Sequence, residues 1–257
     1  MSDEDLKACA GTVKNGDPDR FAATMAAHPD ARDVLFPLYA FNVEVSRAPW
    51  VTQETMIAEM RLQWWRDALE EIRSGEGVRR HEVVTPLAAI LDANATEVLD
   101  TLIEARRWDI YKDPFEDQQH LERYLAETAG GLMLVGAHAL GQCAEGVARD
   151  VGYALGVANW LMAIPALEDA NRVPLVNGRP EAVAEFAQGA LSRLEAARQR
   201  RKEVDRAAGQ AFYAAWQVEM VLKQAIADPR RVSNGALGSS EFGKRVGLMR
   251  RALMGRW

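Results

Sequence analysis

Almost every stretch of this chain is written at helical period, and alternating β-branched runs are missing. Ala, Leu, Glu, Arg and Met dominate, all residues that lose little on entering a helix. Breakers cut the pattern into elements. Asp17-Pro18 and Pro29-Asp30 bracket a short helix around Phe21–Ala27. Asp30 is the predicted cap of a helix through Leu35, Leu38, Tyr39 and Phe41 that carries Pro37 and ends at Ala48-Pro49. Further helices are predicted from Thr52 to Ser74, from Thr85-Pro86, over Thr96–Tyr111, and from Asp117 to Leu140. The pattern then gives Glu145–Ile164, Pro180–Asp205, Arg206–Asp228 and Ser240–Met254. Neither a repeat nor a low-complexity linker interrupts the 257 residues, so one all-α domain over 1–257 is the economical expectation.

Composition excludes several classes. With 48% hydrophobic and 26% charged residues the chain is neither disordered nor collagen-like nor a coiled coil. A net charge of −6 argues against a nucleic-acid partner. Cys9 and Cys143 form no CxxC and no Cys/His cluster, which fits a reduced compartment and speaks against zinc. The acidic start Met1-Ser2-Asp3-Glu4-Asp5 has no apolar core of a signal peptide. The longest uncharged runs, Thr128–Ala144 and Val151–Leu167, are short for a bilayer span and rich in Gly and Ala. Charge is also unevenly placed. After Pro229 come Arg230, Arg231, Lys244, Arg245, Arg250, Arg251 and Arg256 against one acid, Glu241, so the rest of the chain is strongly acidic.

Four strings stand out. They are Leu38-Tyr39-Ala40-Phe41-Asn42-Val43-Glu44, then Arg61-Leu62-Gln63-Trp64-Trp65-Arg66-Asp67-Ala68-Leu69, then Tyr124 through Met133, and finally Gly152-Tyr153-Ala154-Leu155 through Asn171-Arg172-Val173-Pro174-Leu175. In this order, over roughly residues 18–225, they resemble the squalene/phytoene synthase family, and most of all its branch related to a mitochondrial complex I assembly factor. The resemblance implies a helical bundle of the isoprenoid (terpenoid) synthase type. Enzymes of the family join two prenyl diphosphates head to head, with Mg²⁺ held by two Asp-rich motifs on facing helices. Carboxylates one turn apart share a helix face and supply the hard oxygens that Mg²⁺ takes. The metal stabilises charge on the departing diphosphate.

At the matching positions this chain has no such acids. The first motif falls on Ser46, Arg47 and Trp50. The second places Met162 and Ala163 on its Arg and first Asp, and Ala166 and Leu167 on its acidic pair. Glu168 and Asp169 follow directly, but Pro165 intervenes where the helix should continue. Asp109, Asp113 and Asp117 are evenly spaced, yet Pro114 breaks the helix between them, and Asp117 fits an N-cap. His28, His81, His120 and His138 show no metal-ligand spacing.

The expectation is therefore a diverged, non-catalytic member that acts as a lipid-binding or respiratory-complex assembly protein. The alternative is a prenyl diphosphate transferase with a metal site rearranged onto Glu44, Asp109, Asp113, Glu168 or Asp169. Cofactors are not expected, and Mg²⁺ enters only under that alternative. Candidate ligand-binding residues, carried by the resemblance, are Tyr39, Arg47, Arg66, Asn159 and Arg172; Arg47 would repel Mg²⁺ and receive a phosphate or carboxylate directly. The two uncharged runs offer either tight packing or an apolar tunnel for a prenyl or other lipid ligand. In the basic C-terminal helix, Phe242, Val246, Met249 and Leu253 form an apolar stripe. It suits docking on the chain's own acidic body, on a membrane surface, or on a respiratory-complex subunit. The expected location is cytoplasmic, or peripheral at the inner membrane.

Overall fold

Capping chemistry sets most of the element boundaries. The computed structural model describes residues 2–52, 54–254 and 257, without the Glu241 side chain, so Arg256 of the basic tail lies outside the described residues. Helix α1 (Asp3–Gly16) opens on Ser2, whose hydroxyl accepts from the Asp5 N–H, and carries three acids in its first turn. Helix α2 (Pro18–Ala26) is capped by Asp17. Helix α3 (Pro29–Arg47) is capped by His28 rather than by Asp30. The physical reason is Pro29, which keeps the residue before it extended and itself takes the first helical position. Pro37 lies inside α3 without ending it.

Helix α4 (Thr55–Ser74) stops at left-handed Gly75, followed by the short α5 (Val84–Ala88) and by α6 (Ala93–Tyr111), capped by Asp92. The helix predicted from Asp117 to Leu140 is three pieces. These are α7 (Gln118–Leu125), capped by Asp117, a π-helical turn at Ala126–Gly130, and α8 (Gly131–Leu140). Helix α9 (Glu145–Asp169) runs through Pro165 and past its predicted end. After α10 (Pro180–Gln199), the helix predicted over 206–228 divides into a 3₁₀ segment, Ala208–Ala215, and α11 (Val218–Ala227). A short α12 (Arg230–Ser233) and α13 (Glu241–Met254) complete the chain. Among the described residues there are no strands, only an isolated bridge between Cys143 and Val204. The all-α expectation holds.

Helix α9 is the central element, packed on the π-turn, α8, α10 and the 3₁₀ segment. A Cβ on Gly152 would stand 2.6 Å from the Ala129 carbonyl oxygen and 2.8 Å from the Gly130 Cα. One on Gly156 would stand 2.8 Å from the Ala129 Cβ. The two uncharged runs therefore touch backbone to backbone. At this crossing their small residues serve close packing. By length and composition α9 could cross a membrane, but 67% of its apolar window is buried inside the fold.

Helix α13 packs against α2 and the 3₁₀ segment. Lys244 reaches Asp19 at 3.3 Å and Arg251 lies 3.9 Å from Glu219. Leu248 is buried, and Trp257 packs edge-on against Phe212. Docking on the chain's own acidic body is thus what α13 does, but through the face opposite its apolar stripe. Hydrogen bonds from Lys223 and Arg198 hold the Glu219 carboxyl well below its ordinary range, at about 2.

Two outcomes follow from this packing. Gly152→Ala should destabilise by about 1–3 kcal/mol, because backbone must move. Gly189→Ala, in open space on α10, should be neutral or stabilise by about 0.5–1 kcal/mol. Denaturant midpoints check both. A depressed folded pKa makes the Glu219 contribution complete above the ordinary value of 4.5 and lost as pH falls toward 2. The melting-temperature gap between wild type and Glu219→Gln should close over that interval.

Candidate functional site

The N-terminus of α2 and the C-terminal half of α9 frame a cleft of about 280 Å³. Asp17, Asp19 and Arg20 come from the α2 end, Asn159, Met162 and Ala163 from α9, and Gln217 from the start of α11. The local reason is the Asp17 cap. Its carboxylate accepts the Arg20 N–H at 2.9 Å and also the Arg20 guanidinium, which folds Arg20 back over its own helix start. Arg20 then lies 5.4 Å above the Tyr39 ring. Burial pushes the Tyr39 hydroxyl up to about 12, so it stays a neutral donor.

Both carboxylates of the cleft are engaged by the protein's own donors. Asp17 holds Arg20. Asp19 accepts from Gln217 Nε2 at 2.8 Å and from Lys244. The Arg20 Nε and Gln217 Oε1 are buried without a hydrogen-bond partner. This donor set does not fit Mg²⁺, which needs several free hard oxygens in octahedral array. Among the described residues, no three His, Cys, Asp or Glu side chains gather where a metal could sit. The set fits a polar or anionic group better, with Arg20 and Asn159 as donors.

A second polar cluster is buried beneath the loop that follows α9. Tyr124 donates to Asp109 at 2.9 Å, and Arg106 donates to both Tyr124 and Asp109. Burial raises the Tyr124 hydroxyl far above its ordinary range, so it remains protonated. Arg172 donates to the Asp109 carbonyl and stacks 4.5 Å from the Trp50 ring. Trp108 and Phe115 stack at 3.9 Å beside Tyr124, and Trp160 Nε1 donates to the Pro174 carbonyl at 2.8 Å. The cluster ties α6, α7, α9 and the 170–175 loop together.

The five residues singled out from the sequence do not share one place. Asn159 lines the cleft and Tyr39 lies behind it, joined through Arg20. Arg172 belongs to the buried cluster. Arg47 is exposed at the end of α3, where its carbonyl receives the Trp50 and Val51 N–H groups. Arg66 bridges α4 to α6, bidentate to Asp100 at 2.7 and 2.9 Å and single to Glu104. Of the acids considered for a rearranged metal site, Asp109 is held by Tyr124 and Arg106, while Glu168 and Asp169 are exposed at the end of α9. Arg20, Asp17, Asp19 and Gln217 were not singled out from the sequence. Their only local signal is Asp17-Pro18 as a helix start with Arg20 at its third position.

The model of the squalene/phytoene synthase family matches residues 13–177. A Drosophila melanogaster protein, NADH dehydrogenase (ubiquinone) complex I, assembly factor 6 homolog, is 29% identical over 170 residues, 62% of this chain and 50% of that protein. The Bos taurus complex I assembly factor 6 is 25% identical over 161 residues, 61% of this chain and 48% of that one. The chain thus spans about half the length of the curated relatives it matches. Among solved structures, a dehydrosqualene synthase superposes with a TM-score of 0.78 at 15% identity, covering 97% of this chain and 95% of its own. The squalene synthase HpnC from Alicyclobacillus acidocaldarius gives 0.70 at 16% identity, covering 89% and 94%. Those two likenesses establish the fold, the all-α isoprenoid synthase architecture.

Tyr124→Phe should cost about 1–3 kcal/mol, because a buried carboxylate loses a donor. Arg66→Ala should cost at most about 1 kcal/mol, since its pairs are partly solvated. Paired chemical denaturation curves separate the two.

Proposed function

The chain belongs to the squalene/phytoene synthase family, and from that premise we propose that it is a non-catalytic member acting in the assembly of a respiratory NADH dehydrogenase complex. The observation that supports the first half is the cleft: its two carboxylates, Asp17 and Asp19, are taken up by Arg20, Gln217 and Lys244, beside the α9 positions Met162 and Ala163 where the second metal motif falls. A cation placed there binds an anion but gives no bridge from carboxylate to metal to leaving group. The second half is supported by the relatives, whose names are those of complex I assembly factors. The reading puts the protein on the cytoplasmic side of the inner membrane, bound at its periphery near the growing complex.

A long lipid is not favoured as the ligand. The cleft of about 280 Å³ falls just below the usual range of small-molecule sites, roughly 300–1,000 Å³, and at Gly152 and Gly156 helix α9 packs directly on the 125–133 segment. A head group or a short anionic side chain fits better, held by Arg20 and Asn159.

Incubation with farnesyl or geranylgeranyl diphosphate and Mg²⁺ should release no diphosphate above the uncatalysed rate. Turnover, or Mg²⁺-dependent tightening of diphosphate binding, would restore the prenyltransferase alternative. Without Mg²⁺, inorganic diphosphate should still protect the fold against heat through Arg20, and Arg20→Gln should remove that protection.

A further inference from the structure

Helix α13 is docked with Lys244 and Arg251 inward and its apolar stripe outward. On the inner side Lys244 and Arg251 approach Asp19 and Glu219, Leu248 is 8% exposed, and Gly247 faces the Trp216 ring. On the outer side Phe242 is 78% exposed, Val246 42%, Met249 59% and Leu253 81%. These four residues step by four, three and four, so they lie in one line along the helix, about 16 Å long at 1.5 Å per residue. Arg245 and Arg250 are exposed as well, and helical phase puts them on opposite flanks of that line.

A helix whose only task is to close the fold would turn this stripe inward. Here Lys244 and Arg251 face the acidic body instead, and the stripe faces out. The stripe is surplus to the fold and remains a continuous exposed apolar ridge. Its two arginine rails decide among occupants. A hydrophobic groove on a protein would have to bury the stripe and supply an acid for each rail at a matching height. A bilayer with anionic head groups accepts both at once: the apolar side chains enter the acyl boundary and the guanidinium groups stay at the phosphates.

We propose that the outward face of α13, Phe242, Val246, Met249 and Leu253 between Arg245 and Arg250, is an in-plane docking surface for an anionic phospholipid bilayer. The inward contacts persist in the docked state, so no refolding is required. This surface stands on α13 alone and does not depend on the assembly role.

The test uses the full chain and vesicles of phosphatidylglycerol and phosphatidylcholine in equal amounts, against vesicles of phosphatidylcholine alone. Sedimentation should carry the chain down with the mixed vesicles, weakly or not at all with the neutral ones, and less at high salt. The double variant Phe242→Glu, Leu253→Glu should lose at least tenfold in partitioning, and Arg245→Gln and Arg250→Gln should each lose about fivefold. All variants should keep the wild-type melting temperature, since the changed side chains face water. The proposal is overturned if the mixed vesicles leave the chain in solution, if the glutamate variant binds as well as wild type, or if neutral vesicles bind equally. It is also overturned if the wild type dimerises without lipid and the glutamate variant does not, because the stripe would then be covered by a second copy.

Discussion

The close approach of α9 to the π-helical turn at Ala126–Gly130 sets where the side chains of α9 arrive. Gly152 lets backbone meet backbone, and Gly156 admits the Ala129 Cβ, at separations no further Cβ would tolerate. With that crossing fixed, the rise and rotation of a helix dictate where every other α9 side chain goes. Asn159, Met162 and Ala163 arrive at the cleft, and Trp160 at the aromatic cluster. The end of the helix sets the turn that lays Arg172 on the Asp109 carbonyl near the end of α6. The π-turn belongs to the same arrangement: its extra residue per turn re-phases the chain between α7 and α8, which keeps Tyr124 on the polar cluster while Gly136 meets α3.

Charge then decides what the scaffold does. The chain is rich in acids, yet those near the cleft are held by arginine, lysine and glutamine donors within the fold. The same acidic surface captures Lys244 and Arg251 and so turns α13 with its apolar side outward. One electrostatic theme thus runs through both places: the cleft acids are paired within the fold, and the apolar stripe of α13 is left outward. Lys244 links the two, since its partner Asp19 lines the cleft.

Local chemistry was legible in the sequence and tertiary chemistry was not. Asp117 as a cap, Gly75 as a stop and the break at Asp113-Pro114 depend on a few neighbouring residues and stand where expected. The π-turn was not readable, because its packing partner Gly152 lies far along the chain. Pro165 was expected to end α9, yet the helix continues through it; a lone proline removes one hydrogen bond, and the surrounding packing outweighs it. The ordered family strings were sufficient for the fold. They did not gather Arg47, Arg66 and Arg172 with Asn159, because Arg66 is drawn to Asp100 and Glu104 and Arg172 to Asp109 and Trp50. Periodicity identified two faces on α13, but which face the body takes depends on Asp19 and Glu219, and no local pattern reports that.

On the function proposed above, this scaffold supports assembly of a respiratory complex without prenyl transfer chemistry. Its most direct measurement is NADH-dependent quinone reduction in membranes of the source cell after deletion of this chain, with and without re-expression. Activity and the amount of assembled complex should both fall on deletion. Recovery should be equal from the wild type and from a Glu44→Gln, Glu168→Gln, Asp169→Asn variant. An unchanged complex after deletion, or recovery abolished by those carboxylate substitutions in a folded protein, would contradict that function.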